Sequence, residues 1–252
     1  LRFVKNVKHV WKLKEMEYKD IFRHRGESYD LAMKKYPDAR NKEFEQLFYK
    51  IPLMKNETVL DLPALGGYLK KYCLHDTNVI FLDFSQSING IDVVSPYEKW
   101  NVPVVDRIIC LAAAHHIEDI YLFLQNCCFH VKKNGLIHLA DVSESSKISK
   151  FLDDFVGPNT STKEHKGKYY DWKKIKIPNT LSVLDIEERE CPWIFQSELE
   201  MIEYCKLLFD LQNISNEEIL LALKKYVGIK KNENNLQINW HLTYVDFKIV
   251  EN

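Results

Sequence analysis

Between Tyr18 and Tyr49 apolar residues recur at threes and fours, as at Leu31, Met33, Phe44, Leu47 and Phe48, with charges between them. That period lays an apolar stripe along a helix. Pro37 cannot sit inside one, so the pattern predicts two helices parted near residues 36–38. From Thr58 the grammar changes. Residues 58–62, 78–83, 90–94 (weakly), 106–111 and 135–140 are short apolar runs, too brief for helices. Residues 69–74 suggest a helical turn or two. Residues 117–132 predict a helix on the period of Ile120, Leu124, Cys127 and Val131, stopped by Asn134-Gly135. Continuous apolar runs alternating with helices predict a parallel sheet covered on both faces. The connection over residues 84–89 has room for a loop or a single turn.

After residue 142 the alternation breaks. Turn signals at 143–146, 157–162 and 166–167 stand beside two aromatic clusters, Tyr169-Tyr170-Asp171-Trp172 and Cys191-Pro192-Trp193-Ile194-Phe195. Two helices are predicted over 197–211 and 215–227, each opened by Ser with a Glu close behind, as in an N-cap. Residues 236–240 and 242–249 alternate in the manner of antiparallel strands. No internal repeat is visible.

With 252 residues and 46% hydrophobic content, the chain can bury one core, or one core plus an appended cap. Eight Gly and eight Pro exclude collagen-like and low-complexity chains. The 35 basic and 36 acidic residues leave a formal net charge of −1, so no global field draws nucleic acid or an anionic membrane. Cys73, Cys110, Cys127, Cys128, Cys191 and Cys205 form no C-x-x-C pair and read as reduced, apolar thiols. The first residues lack a signal-peptide pattern, and the nearly uncharged stretch 108–117 is about half of a membrane span. A soluble, cytoplasmic protein is expected.

The chemistry concentrates at the ends of the apolar runs. Val59-Leu60-Asp61-Leu62-Pro63-Ala64-Leu65-Gly66-Gly67-Tyr68 is a strand ending in an acid, then a tight turn of small residues, then a helix. Such a turn lets backbone N–H groups approach a ligand, while the acid accepts hydrogen bonds from an amine or hydroxyl. Twenty-two residues on, Asp83 ends the next strand, where a carboxylate can accept both hydroxyls of a ribose.

These features resemble the class I S-adenosylmethionine-dependent methyltransferases, whose first strand ends in an acid followed by Gly-x-Gly-x-Gly and whose second strand ends in a ribose-binding acid. Asp61, Gly67 and Asp83 match, while Pro63 and Leu65 replace the other two glycines. Residues 106–119, with Ala112-Ala113-Ala114-His115-His116, resemble the family's fourth strand and the element after it. Residues 124–141 resemble its fifth unit, and the terminal strand pair its last two strands.

The resemblance implies an α/β, Rossmann-like sheet, mostly parallel with an antiparallel last strand. Residues 1–55 would form a helical N-terminal extension, 56–142 and 196–252 the cofactor domain, and 143–195 an inserted substrate cap. S-adenosyl-L-methionine would lie on Asp61, Pro63, Ala64, Leu65, Gly66, Gly67, Asp83, Phe84, Ser85, Leu111 and Ala112, with Tyr29 either a lid or a packed helix residue. The expected reaction is methyl transfer to a small-molecule acceptor at O, N or carboxylate. The alternative is a non-catalytic relative that binds the cofactor as a partner or scaffold subunit. His115 borders the methyl group and is the candidate base; His116 reads as structural. His165, Tyr169, Tyr170 and Trp193 either line the acceptor or form the cap's own core. No metal is expected, since the neighbours His115 and His116 should point apart and no H-x-x-x-H pair occurs.

Overall fold

Pro37 divides the N-terminal segment as its fixed φ requires. In the computed structural model, which describes residues 25–85, 90–161, 163, 165 and 167–250, helix α1 covers 25–35 and α2 is Asn41–Leu47. The expectations for residues 1–24 and for the connection through 86–89 lie outside the described residues. The strands are β1 (Thr58–Asp61), β2 (Asn78–Asp83), β3 (Asp92–Val93), β4 (Val105–Leu111), β5 (Val131–Asp141), β6 (Leu181–Glu190), β7 (Trp193–Phe195), β8 (Ile229–Lys231), β9 (Leu236–Ile238) and β10 (His241–Ile249).

Seven of these strands form one sheet in the order β3-β2-β1-β4-β5-β10-β6. Strands β1 to β5 pair in parallel, and β10 runs antiparallel between β5 and β6. One apolar cluster, with Ile108, Phe123, Leu124 and Phe247, covers one face. Another, with Leu47, Phe151, Trp193 and Tyr244, covers the other. That is the predicted doubly covered sheet.

Two differences have physical causes. Helix α3 (Ile120–Cys128), capped by the Asp119 carboxylate on Leu122 N–H, stops short of residue 132. Val131 already pairs with Val105, and Asn134 at φ 63° accommodates a register shift before Leu136 meets Arg107. A Cβ on Gly135 would sit 2.7 Å from the Asp106 carbonyl oxygen, so the strands close only around glycine there. Second, the terminal strand pair divides. β10 inserts into the main sheet, while β9 joins β7 and β8 in a small antiparallel sheet. The edge position beside β10 is filled by β6, from the segment expected to be wholly cap.

Helices α4 (Lys147–Lys150) and α5 (Gly157–Asn159) are joined by a π turn over Phe151–Val156. Ser197 caps α6 (Glu198–Leu208), and a Ser215–Glu218 capping box opens α7 (Asn216–Ala222), as the Ser/Glu spacing predicts. Among the described residues no helix is long and apolar enough to cross a membrane.

Arg107, 2% exposed, ties the sheet to the chain entering β1. Its guanidinium donates to Glu57 Oε2 at 3.0 Å and to the carbonyls of Ile51 and Pro52, both at 2.7 Å. It also faces His138 Nε2 at 3.3 Å, while His138 Nδ1 meets Asp246 at 2.7 Å. Removing one member of a buried ionic group leaves the others unpaired at a cost of about 3–5 kcal/mol. Arg107→Met should therefore lower the unfolding free energy by about 3 kcal/mol, read from the urea midpoint. A loss under about 1 kcal/mol would show that Arg107 is not the tie described.

Candidate functional site

Parallel strands place all their carboxyl ends at one edge of the sheet, and three acids end there: Asp61 on β1, Asp83 on β2 and Asp141 on β5. Ligands in open α/β sheets bind outside this edge. A cavity opens over it, with Asp61, Leu111, Ala112, Asp141 and Val142 in its floor.

Asp61 is 6% exposed and faces the cavity. Burial first, and the neighbouring Asp83 second, hold its carboxyl well above the ordinary range. The turn after it is pinned by Ala64 N–H on the Leu82 carbonyl at 2.8 Å and by Leu65 N–H on Asp83 Oδ2 at 2.8 Å. Gly67, at φ 75°, supplies the left-handed residue that starts the 3-10 turn Tyr68–Tyr72. The Tyr68 ring folds back over Gly66, where a Cβ would lie 2.5 Å from it, and lines the cavity. Pro63, Ala64 and Leu65 line it too; Gly66 and Gly67 shape the turn from behind.

Asp83, expected on a ribose, stands elsewhere. It is fully buried and outside the cavity wall. Besides Leu65 N–H it accepts from Ser85 N–H at 2.9 Å and Ser85 Oγ at 2.7 Å. A Ser two residues past a strand-end acid folds back on it, and this is what turns the carboxylate inward. Phe84 packs edge-on against Phe123 in the opposite core. In this structure Asp83 and Ser85 brace the turn, and Phe84 belongs to the core.

His115 lies in the 3-10 turn Ala114–His116, directly past β4. Asp141 Oδ2 accepts its backbone N–H at 2.8 Å, and Oδ1 lies 2.8 Å from its ring Nδ1. Val142 N–H donates to the same carboxylate at 2.7 Å. Asp141 thus fixes the His115 ring with Nδ1 as donor, leaving Nε2 with a lone pair. His116 and His165 meet it: the His115–His116 ring centres are 4.0 Å apart and the His115–His165 centres 5.4 Å. The expected divergence of His115 and His116 fails, because the tight turn brings the two rings together. Burial pushes His165 down to about 4, opposed by Asp153 and reinforced by His115 and Arg25, and pushes His116 well below its ordinary value, with His115, His165 and Arg25 adding to burial. Tyr169 stacks on His115 at 5.6 Å and donates to Asp153 at 2.9 Å, behind the cavity wall.

The roof comes from the N-terminal helices and the small sheet. Tyr29 faces the cavity, its hydroxyl bonded by the Arg40 guanidinium, which also binds Glu43. Glu43 accepts the Trp193 indole N–H, and Trp193 stacks on Trp240 at 4.1 Å. Phe44, Phe209, Trp240 and Leu242 complete an aromatic and aliphatic wall.

Of the expected residues, the fold gathers Tyr29, Asp61, Pro63, Ala64, Leu65, Leu111, Ala112, His115, His165 and Trp193 around one cavity. Tyr170 is a correction. Next to Tyr169 in extended chain, it points the opposite way, bonds the Ile117 carbonyl and packs on Trp172 in the other core. Arg40 and Asp141 were not singled out, and His116, read as structural, also lines the cavity. Asp141 had the signal of Asp61, an acid ending an apolar run.

No protein-family model and no curated protein matches the sequence. Solved structures do match the fold. The YcgJ protein of Bacillus subtilis is 14% identical with a TM-score of 0.57, over 84% of this chain and 100% of that one. A putative methyltransferase of Bacillus halodurans is 15% identical with a TM-score of 0.52, over 82% and 98%. A putative Haloferax volcanii methyltransferase, solved with its Trm112 activator, is 11% identical with a TM-score of 0.51, over 93% and 98%. Strand order, the antiparallel β10 and these neighbours agree: the chain has the fold of the class I S-adenosylmethionine-dependent methyltransferases.

Proposed function

We propose that the chain is an S-adenosylmethionine-dependent methyltransferase acting on a small molecule bound in this cavity. The observation that carries the reading is Asp61. A carboxyl group in the cavity floor, with its ionised form disfavoured by burial, suits a cationic partner such as the amino group of the cofactor. The backbone of Pro63–Leu65 and of Ala112, held at φ 52°, lies beside it, and Tyr29 covers the opposite side. Asp83 acts as a positioning residue through Leu65 N–H rather than by direct contact.

When bound, the cofactor supplies a methyl group on a sulfonium leaving group. The chain's own residues then have three tasks. The apolar wall of Phe44, Trp193, Phe209 and Trp240 excludes water and orients an acceptor. His165 and Trp193 stand on the acceptor side. His115, its Nδ1 held by Asp141, offers Nε2 to take the proton from an O–H or N–H acceptor; a carboxylate acceptor would dispense with that step.

Calorimetry with S-adenosylmethionine tests the reading. Asp61→Asn should weaken binding by about 1.5–3 kcal/mol, roughly ten- to hundredfold. A cationic partner stabilises ionised Asp61, so wild-type affinity should fall as pH falls through the raised Asp61 pKa. Below that pKa, binding should release a proton, seen as heats that differ between buffers of different ionisation enthalpy. Absence of binding by the folded wild type would end the proposal. Once an acceptor is in hand, His115→Ala should lower turnover far more than cofactor affinity, whereas an equal loss in both would make His115 structural.

A further inference from the structure

We propose that His115, His116 and His165 form a binding site for one divalent transition-metal ion of the zinc class. One ring nitrogen from each lies within 4.8 Å of the others, and these residues make up the cluster of this kind found among the described residues. In a tetrahedral zinc site with Zn–N bonds near 2.05 Å, ligand nitrogens stand ~3.4 Å apart.

Three further observations point to an ion. Asp141 already holds His115 through Nδ1 at 2.8 Å, the carboxylate–histidine arrangement that orients a metal-ligating imidazole and leaves Nε2 for the metal. His165 is 6% exposed and its buried Nδ1 makes no hydrogen bond, with Asp153 Oδ1 standing 3.9 Å from it, beyond hydrogen-bond reach. Such an orphan is costly unless a ligand satisfies it. The cluster also borders the cavity, so three protein ligands leave a fourth position open to a small molecule or water. The nitrogen donor set selects zinc, cobalt, nickel or copper over magnesium or calcium.

Binding itself is independent of the methyl-transfer reading; that the ion would touch the acceptor rests on it. An ion takes up the same His115 lone pair that would accept a proton, so the two roles exclude each other on one molecule.

The test is titration of Co2+ into the chelator-treated 252-residue chain, followed by visible spectroscopy. One Co2+ per chain with the ligand-field bands of a four-coordinate site, displaced by Zn2+, is expected. His165→Ala and His116→Gln should each abolish the bands, and Asp141→Asn should weaken Co2+ binding about 10–100-fold. Circular dichroism of every variant controls for folding. Lack of bands in the wild type, or bands that persist in both histidine variants, would overturn the site. S-adenosylmethionine calorimetry on the same sample separates the outcomes, since the cofactor can bind a chain that takes no cobalt, and the reverse.

Discussion

A carboxylate with no solvent exposure holds the upper half of this molecule together. Glu43 accepts from the Arg40 guanidinium and from the Trp193 indole, while its own carbonyl accepts the Tyr244 hydroxyl at 3.0 Å. Three pieces of chain distant in sequence, α2, β7 and β10, are thereby fixed to one point. Arg40 carries the connection on to Tyr29, so the placement of α1 over the cavity follows from the same buried charge pair. Neither charge is affordable alone in that setting, which makes the arrangement cooperative. The roof, the aromatic wall and the opening above Asp61 all depend on it.

The floor of the cavity follows from a different constraint. Parallel pairing sends the ends of β1, β4 and β5 to one edge, and the residues just beyond each strand must turn there. Asp61, Ala112 and Asp141 are the residues at those turns. Ala112 at φ 52° and Leu65 at φ 47° are non-glycine residues in left-handed geometry, each at the cavity wall. Ala112 N–H is satisfied by the Ala140 carbonyl at 2.7 Å, and Leu65 N–H by Asp83, so strand-end hydrogen bonds hold these conformations in place.

How much of this was legible in the sequence depended on how local the cause was. The runs that became β1, β4 and the second half of β5 are largely buried on both faces, and the half-buried β2 run is as apolar, so all four read as continuous apolar stretches. β6 did not stand out, because an edge strand carrying Asp185, Glu187, Glu188 and Glu190 beside exposed Val183 and Leu184 shows no clean alternation. The strand-end logic that located Asp61 and His115 also led to Asp83, and there a short-range bond from Ser85 redirected the carboxylate. Tyr169 and Tyr170 show the limit of reading a cluster by composition: neighbours in extended chain serve opposite faces. His165 reaches His115 and His116 only through tertiary folding, across about fifty residues, and no spacing rule predicts that meeting.

In the proposed function the cavity over Asp61 and Ala112, under Tyr29, receives the cofactor. A crystal structure of the chain grown with S-adenosylhomocysteine tests it most directly. The expected density has the amino group within hydrogen-bond distance of the Asp61 carboxylate and the sulfur facing the His115 side of the cavity. Well-ordered ligand bound elsewhere on the chain, or a ligand in the cavity that leaves Asp61 without a contact, would contradict it.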